Sequence, residues 1–173
     1  MFRRLLAGLC ALVALAPAAS ALTLVGNAAV IDSDVLLIDG YRIFLFGVES
    51  VEAQQTCSIR GQRWDCYPAA VRALQTIVVE GTATCNVVGG PDVLNQVFAV
   101  CMVNGTDVAE RLVRAGFGVV VPAETEIYRP AETAAREARV GFWQGEFAPP
   151  SIWRLANRLF AAGRPVFRPT TAP

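Results

Sequence analysis

Not one histidine and not one lysine occurs in the chain. The first absence excludes histidine-centred metal sites, Ser-His triads and every nuclease chemistry built on a histidine base. The second leaves arginine as the only side chain that can stabilise an anion by permanent charge. Any chemistry must therefore run on carboxylates and arginine. A basic excess is missing as well. Fifteen arginines face 15 acids, and the first 21 residues hold 2 of the arginines and none of the acids, so 15 − 2 = 13 stand against 15 beyond them. Proteins that bind nucleic acid by neutralising phosphates usually show the opposite balance, so nucleic acid is not the expected partner. A membrane-spanning run is absent too. The most apolar stretch, Leu5 to Ala16, has about 12 residues, whereas a bilayer needs roughly 20. Arg3 and Arg4 before it and Ala19-Ser20-Ala21 after it read as a secretory signal peptide cut after Ala21. An uncleaved anchor is the alternative that its length disfavours. The mature protein is expected to be periplasmic or secreted, with no transmembrane segment.

Of five cysteines, Cys10 lies in the leader, leaving Cys57, Cys66, Cys85 and Cys101. An even number in an exported domain predicts two disulfides, with three pairings open on spacing alone. Gaps of 8 and 15 residues do not resemble a zinc knuckle. Along the chain, residues 22–31 and 34–38 are apolar and β-branched, and Asp39-Gly40 marks a tight hairpin into residues 41–48. Residues 53–65 read as polar and irregular. "YPAAVRALQTIV" then carries Ala70, Leu74, Ile77 and Val78 at helical spacing and stops at Gly81. Strands are expected over about 82–89 and 96–103. Asp107 with Glu110 opens a helix that Gly116 ends, and Pro130 suits the first turn of a further helix ending before Gly141. Arg111, Arg114, Arg136 and Arg139 are expected to face solvent beside Glu110, Glu132 and Glu137. The order predicts an α+β, mainly β domain: a five-stranded OB-fold barrel with about three packed helices. The domain is expected over residues 22–154, followed over 155–173 by the end of a helix and a Pro-rich tail.

Five fragments, "VIDSDVLLIDGYRIFLFGVESVE", "QTC…W.C…A…L", "TC…AVCMVNG", "VAERLVRAGF" and "GFWQGEFAPPSIWR", stand in this order over about residues 27–154. Together they resemble the staphylococcal-nuclease-like (thermonuclease-like) domain of exported bacterial proteins. The resemblance implies the same OB-type barrel, and it implies the pairing Cys57–Cys66 and Cys85–Cys101. Active members of that family resemble Ca²⁺-dependent phosphodiesterases. They use two metal-binding aspartates, a glutamate that activates water, and two arginines on the transition state.

Matched residue by residue, the site is degraded. Their D-G-D-T is Asp32-Ser33-Asp34-Val35 here. Their R-L-x-G-I/V-D-A/T-P-E is the segment from Phe44 to Glu52. The glutamate survives as Glu52, a metal aspartate has become Glu49, and the first arginine is Phe44. Their D-x-Y-G-R runs from Asp92 to Gln96, so the second arginine is Gln96. A pair of nucleotide-packing tyrosines is absent from Val119 to Glu124. Arg42, two residues before Phe44, could replace the first arginine only with a shifted register or a long reach. One arginine on the developing charge is worth about 10³–10⁵ in rate, and an ångström's displacement of a metal ligand about 10². Asp34, Glu49 and Asp32 could retain Ca²⁺, since oxygen ligands are all it requires; Asp32 and Asp34 could equally be turn residues.

The expectation is a non-enzymatic periplasmic binding or structural subunit with no cofactor beyond residual Ca²⁺. The alternatives are a weak Ca²⁺-dependent nuclease using Arg42, and an OB module that binds an oligonucleotide or oligosaccharide. Asn104-Gly105-Thr106 fits a strand-to-helix turn better than a glycosylation acceptor. Trp143 and Trp153 read as packing residues. Ile152, Leu155, Leu159 and Phe160 form an apolar stripe with Arg154, Arg158 and Arg164 around it. Leu159, Phe160, Val166 and Phe167, on an extended tail with prolines at 165 and 169, are the expected anchors for another envelope or periplasmic protein complex.

Overall fold

The computed structural model describes residues 22–162. Three hairpins share one device, a short two-residue turn ending in glycine in which both residues have positive φ: Asp39-Gly40, Arg60-Gly61 and Asn104-Gly105. They join β3 (Val35–Ile38) to β4 (Tyr41–Leu45), β6 (Cys57–Ile59) to β7 (Gln62–Trp64), and β9 (Gln96–Val103) to β10 (Thr106–Asp107). The first was legible as Asp-Gly. The second corrects the reading of residues 53–65 as irregular: an arginine stands where the turn favours Asn, Asp or Gly, which hid it. The third accounts for Asn104, whose side-chain amide donates to the Glu80 carbonyl at 3.0 Å.

The predicted first strand is two. β1 (Thr23–Gly26) pairs with β8 (Ala83–Val88), whereas β2 (Ala29–Asp32) pairs with β3. Gly26 sits at the break, where a Cβ would lie 2.9 Å from the Ile38 side chain. The sheet order β1-β8-β9-β4-β3-β2 curls into a half-barrel, antiparallel except for β4 against β9. A minor pair joins β5 (Val48–Glu49) to β11 (Val119–Val120). Among the described residues four α-helices pack on this frame: α1 (Tyr67–Val78), α2 (Val108–Arg114), α3 (Arg129–Ala138) and α4 (Pro150–Ala161). α1 buries the four residues its spacing predicts, Ala70, Leu74, Ile77 and Val78. α2 starts where Asp107 Oδ1 accepts from the Glu110 amide at 3.1 Å.

Leu36, Ile43, Leu45, Leu74, Val97, Val103 and Leu112 are essentially inaccessible and form the core. Each such side chain contributes roughly 1.5–3 kcal/mol of transfer free energy. A second cluster around Val51, Cys57, Cys66 and Phe142 lies beneath the β6–β7 hairpin. Both disulfides are present. Cys85–Cys101 joins directly opposed residues of β8 and β9, and Cys57–Cys66 ties β6 to the N-cap of α1. Glu132 corrects the expected solvent face of α3. Buried at 1 % exposure, it accepts from the Val120 amide at 3.0 Å and pairs with Arg129 and Arg136. Packing of α3 over β11 decides this by setting the Glu132 carboxylate against the Val120 amide. Trp143 is a packing residue, stacked by the Arg136 guanidinium at 4.0 Å.

Candidate functional site

The turn between β2 and β3 opens one side of a cavity of about 410 Å³. Its conformation is set by three short bonds. Asp32 Oδ1 accepts the Ser33 amide at 2.8 Å, the buried Ser33 hydroxyl donates to the Val51 carbonyl at 2.7 Å, and Asp34 Oδ2 accepts the Ser50 amide at 2.8 Å. This staples the turn to β5 and the loop after it, bringing Asp32 and Asp34 into one lining with Glu49 and Glu52. Protein packed around the Asp34 carboxyl pushes its pKa up to about 7, and Asp32 and Glu52 add to this. The Ser50 hydrogen bond and the Arg154 charge oppose the shift without cancelling it.

Phe44 stands on β4 opposite Phe98 of β9, ring centroids 5.6 Å apart, and the two make the apolar wall of the cavity. Arg42 is exposed, paired across the strands with Leu37 and Gln96, and absent from the cavity lining. The period of two that sets it on Phe44's face does not carry it into the cleft. Gln96 also lies outside the lining, at the foot of β9, its amide held by Asp92 Oδ1 at 2.8 Å.

Two residues that sequence reasoning did not place in the cleft complete it. Glu124 lines the cavity and accepts the Gly47 amide at 2.8 Å. Arg154 reaches in from the second turn of α4 and donates to Glu52 Oε1 at 2.8 Å and to Glu49 Oε2 at 2.5 Å. Five carboxyl groups thus line the cavity with a single guanidinium. The signal for Arg154 was an unbalanced charge: clustered acids with both expected arginines missing need a cation from elsewhere.

Ca²⁺ takes six to eight oxygen ligands at about 2.3–2.6 Å. The donor set here does not fit it. Glu49 and Glu52 are spent on Arg154, Asp32 and Asp34 on backbone amides, and Asp34 keeps its proton up to near neutrality. Among the described residues no three His, Cys, Asp or Glu side chains converge to hold a metal ion. The proposed partner anchors fall on both sides of the described boundary. Leu159 and Phe160 form the last turn of α4, which continues helically past Asn157 in place of the expected extended chain. Phe160 is exposed and Leu159 half-buried. Val166 and Phe167 lie outside the described residues, as do residues 1–21.

A family profile described as staphylococcal nuclease homologue matches residues 42–145. That span holds Phe44, Glu49, Glu52 and Gln96, while Asp32, Asp34 and Arg154 flank it. The succinoglycan biosynthesis protein ExoI of Rhizobium meliloti (strain 1021) is 28 % identical to this chain over 132 residues, 75 % of this chain and 69 % of the relative.

Proposed function

The chain belongs to the staphylococcal nuclease homologue family, and from that premise we propose that its cleft no longer does nuclease chemistry and that the domain works as a non-enzymatic binding or structural subunit in an oxidising compartment outside the cytoplasm. The observation that carries this is Arg154. The cleft's single guanidinium is neutralised by the two glutamates that match the family's general base and a metal ligand. Phe44 and Gln96 supply no charge to replace it. A phosphodiester entering this cavity would meet carboxylates and a phenyl wall in place of preorganised cations, which are the main source of catalysis in phosphoryl transfer. Two disulfides support export, since such bonds persist where the surroundings are oxidising. No helix among the described residues is long and apolar enough to cross a membrane.

The test is incubation of the purified chain with single-stranded DNA and with RNA across a Ca²⁺ range. The expected outcome is no cleavage above background. Combining Phe44→Arg with Glu49→Asp should produce measurable hydrolysis, because these two positions line the cleft and are held responsible for the loss. Robust Ca²⁺-dependent cleavage by the unmodified chain overturns the reading. A second reading, an oligosaccharide-binding module, is favoured by the relative named for succinoglycan biosynthesis. The partner surface proposed for the subunit is the exposed stripe of α4, Ile152, Leu155 and Phe160.

A further inference from the structure

We propose that the arginine-lined groove beside the β6–β7 hairpin binds a carboxylate-bearing oligosaccharide. Ion pairs among the described residues engage Arg111, Arg114, Arg129, Arg136 and Arg154. Arg60, Arg63 and Arg139 take part in none of them, and all three line one groove of about 830 Å³. A hollow of about 290 Å³ adjoins it and shares Arg60, Arg139 and Gln144. Across both, the opposing charge is one carboxylate, Glu146, so the lining carries 3 − 1 = 2 net positive charges.

Two of these arginines are held at a conformational cost. Arg60 and Arg139 both have φ of 52°, the left-handed region that favours glycine. Asp39 and Asn104, short polar residues suited to that backbone, occupy the place of Arg60 in the other two hairpins. Arg139 is the C-cap of α3, where glycine or asparagine is usual. Two independent turns thus accept strain and deliver a guanidinium to the same groove, a pattern that points from strain to function.

The groove is also rigid. Cys57–Cys66 anchors the hairpin, and Ser58 and Glu146 exchange two backbone hydrogen bonds of 2.8 Å that lock it to the segment after Trp143. Arginine forks match carboxylates bidentately. Half-buried Trp64 gives a flat apolar face for a sugar ring, the exposed amide of Gln62 can donate to and accept from hydroxyls, and Gln144, whose Nε2 donates to the Gly141 carbonyl at 2.9 Å, offers its oxygen as an acceptor. A nucleic acid, with one phosphate per about 1.7 Å of duplex, calls for a longer basic track than three arginines on a chain of zero net charge. Sparse carboxylates among neutral sugars suit them. The inference deepens the oligosaccharide reading and rests on it, but shares no residue with the acidic cleft.

The test is affinity electrophoresis of the full chain in gels containing polygalacturonate, with dextran as the neutral glycan and oligothymidylate as competitor. Polygalacturonate should retard the chain, dextran should not, and the retardation should fall with added NaCl. Arg60→Gly with Arg139→Gly should weaken binding about tenfold or more. The melting temperature should hold or rise, because glycine suits both backbone positions. Arg63→Gln should weaken binding on its own. Undiminished retardation of the glycine variant overturns the proposal, as does a parallel loss of stability, which would make the arginines structural. Displacement by oligothymidylate at equal charge would assign the groove to nucleic acid and overturn it. Retardation by dextran that survives all three substitutions keeps the oligosaccharide reading and removes the groove from it. Indifference to both glycans ends both, while leaving the cleft's lack of catalysis untouched.

Discussion

Arg154 and Asp34 divide the cleft between them, one supplying its charge and the other withholding its own. The two pairs Arg154 makes are partly solvent-exposed, so each contributes about 0.5–1 kcal/mol after screening. Arg154→Gln leaves Glu49 and Glu52 facing each other without a counter-charge. The variant should melt a few degrees lower than the parent and recover with millimolar Ca²⁺, to which the parent is indifferent; differential scanning calorimetry with and without the ion checks this. Asp34 makes stability depend on pH. Its folded value of about 7 stands above the ordinary 3.8, so between these values the folded protein keeps a proton that the unfolded chain releases. Stability contributed by that proton is full below about pH 4, declines as pH rises through 7, and is level above. Asp34→Asn should therefore be more stable than the parent at pH 8, with the gap closing toward pH 4 in urea titrations. Neither effect is legible in the motifs, which mark Asp34 as an acid and Arg154 as one charge beside an apolar stripe but do not say how the 119 residues between them fold.

Elements carry the next level of constraint. β8 and β9 form the longest antiparallel pairing, from Ala83 opposite Val103 to Val88 opposite Phe98, and Cys85–Cys101 closes it in the middle. By the chain-entropy argument, a loop of this length is worth about 3 kcal/mol. Cys85→Ala with Cys101→Ala should lower unfolding free energy by roughly 2–4 kcal/mol with the same native circular dichroism. α4 makes a different kind of contribution. Its Arg154 face holds the cleft, while Ile152, Leu155 and Phe160 remain exposed. Leu155→Glu with Phe160→Glu should leave the melting temperature within about a degree of the parent, because surface substitutions usually change little. If this stripe is the partner surface, the same variant should stop co-purifying the envelope protein that the parent brings down. An undiminished yield of that protein would place the contact elsewhere. Helix α4 is recognisable from its spacing, but Leu159 and Phe160, expected on an extended tail before the prolines at 165 and 169, belong to its last turn.

For the whole molecule, the main strands, the helices and the buried face of α1 are legible because they follow from local rules. An apolar run ending in Asp-Gly specifies β3 and the hairpin into β4, 3.6-residue spacing specifies α1, and an Asp cap with a following glycine bounds α2. The β6–β7 hairpin escaped because Arg60 departs from the turn rule, the same departure that marks the groove. Glu132 escaped because its burial comes from a partner strand 12 residues upstream. The four domain cysteines, the Asp-Gly turn and the neutral side chains of Phe44 and Gln96 can be read without any structure, since each is a property of residue type at one position. Packing in three dimensions keeps Arg42 outside the cleft, brings Arg154 into it, and gathers three arginines from a hairpin and a helix end in one groove. Charges act through space over a few ångströms, and proximity between residues about 80 to 105 positions apart is set by how helices and hairpins pack on the barrel, not by any neighbour along the chain.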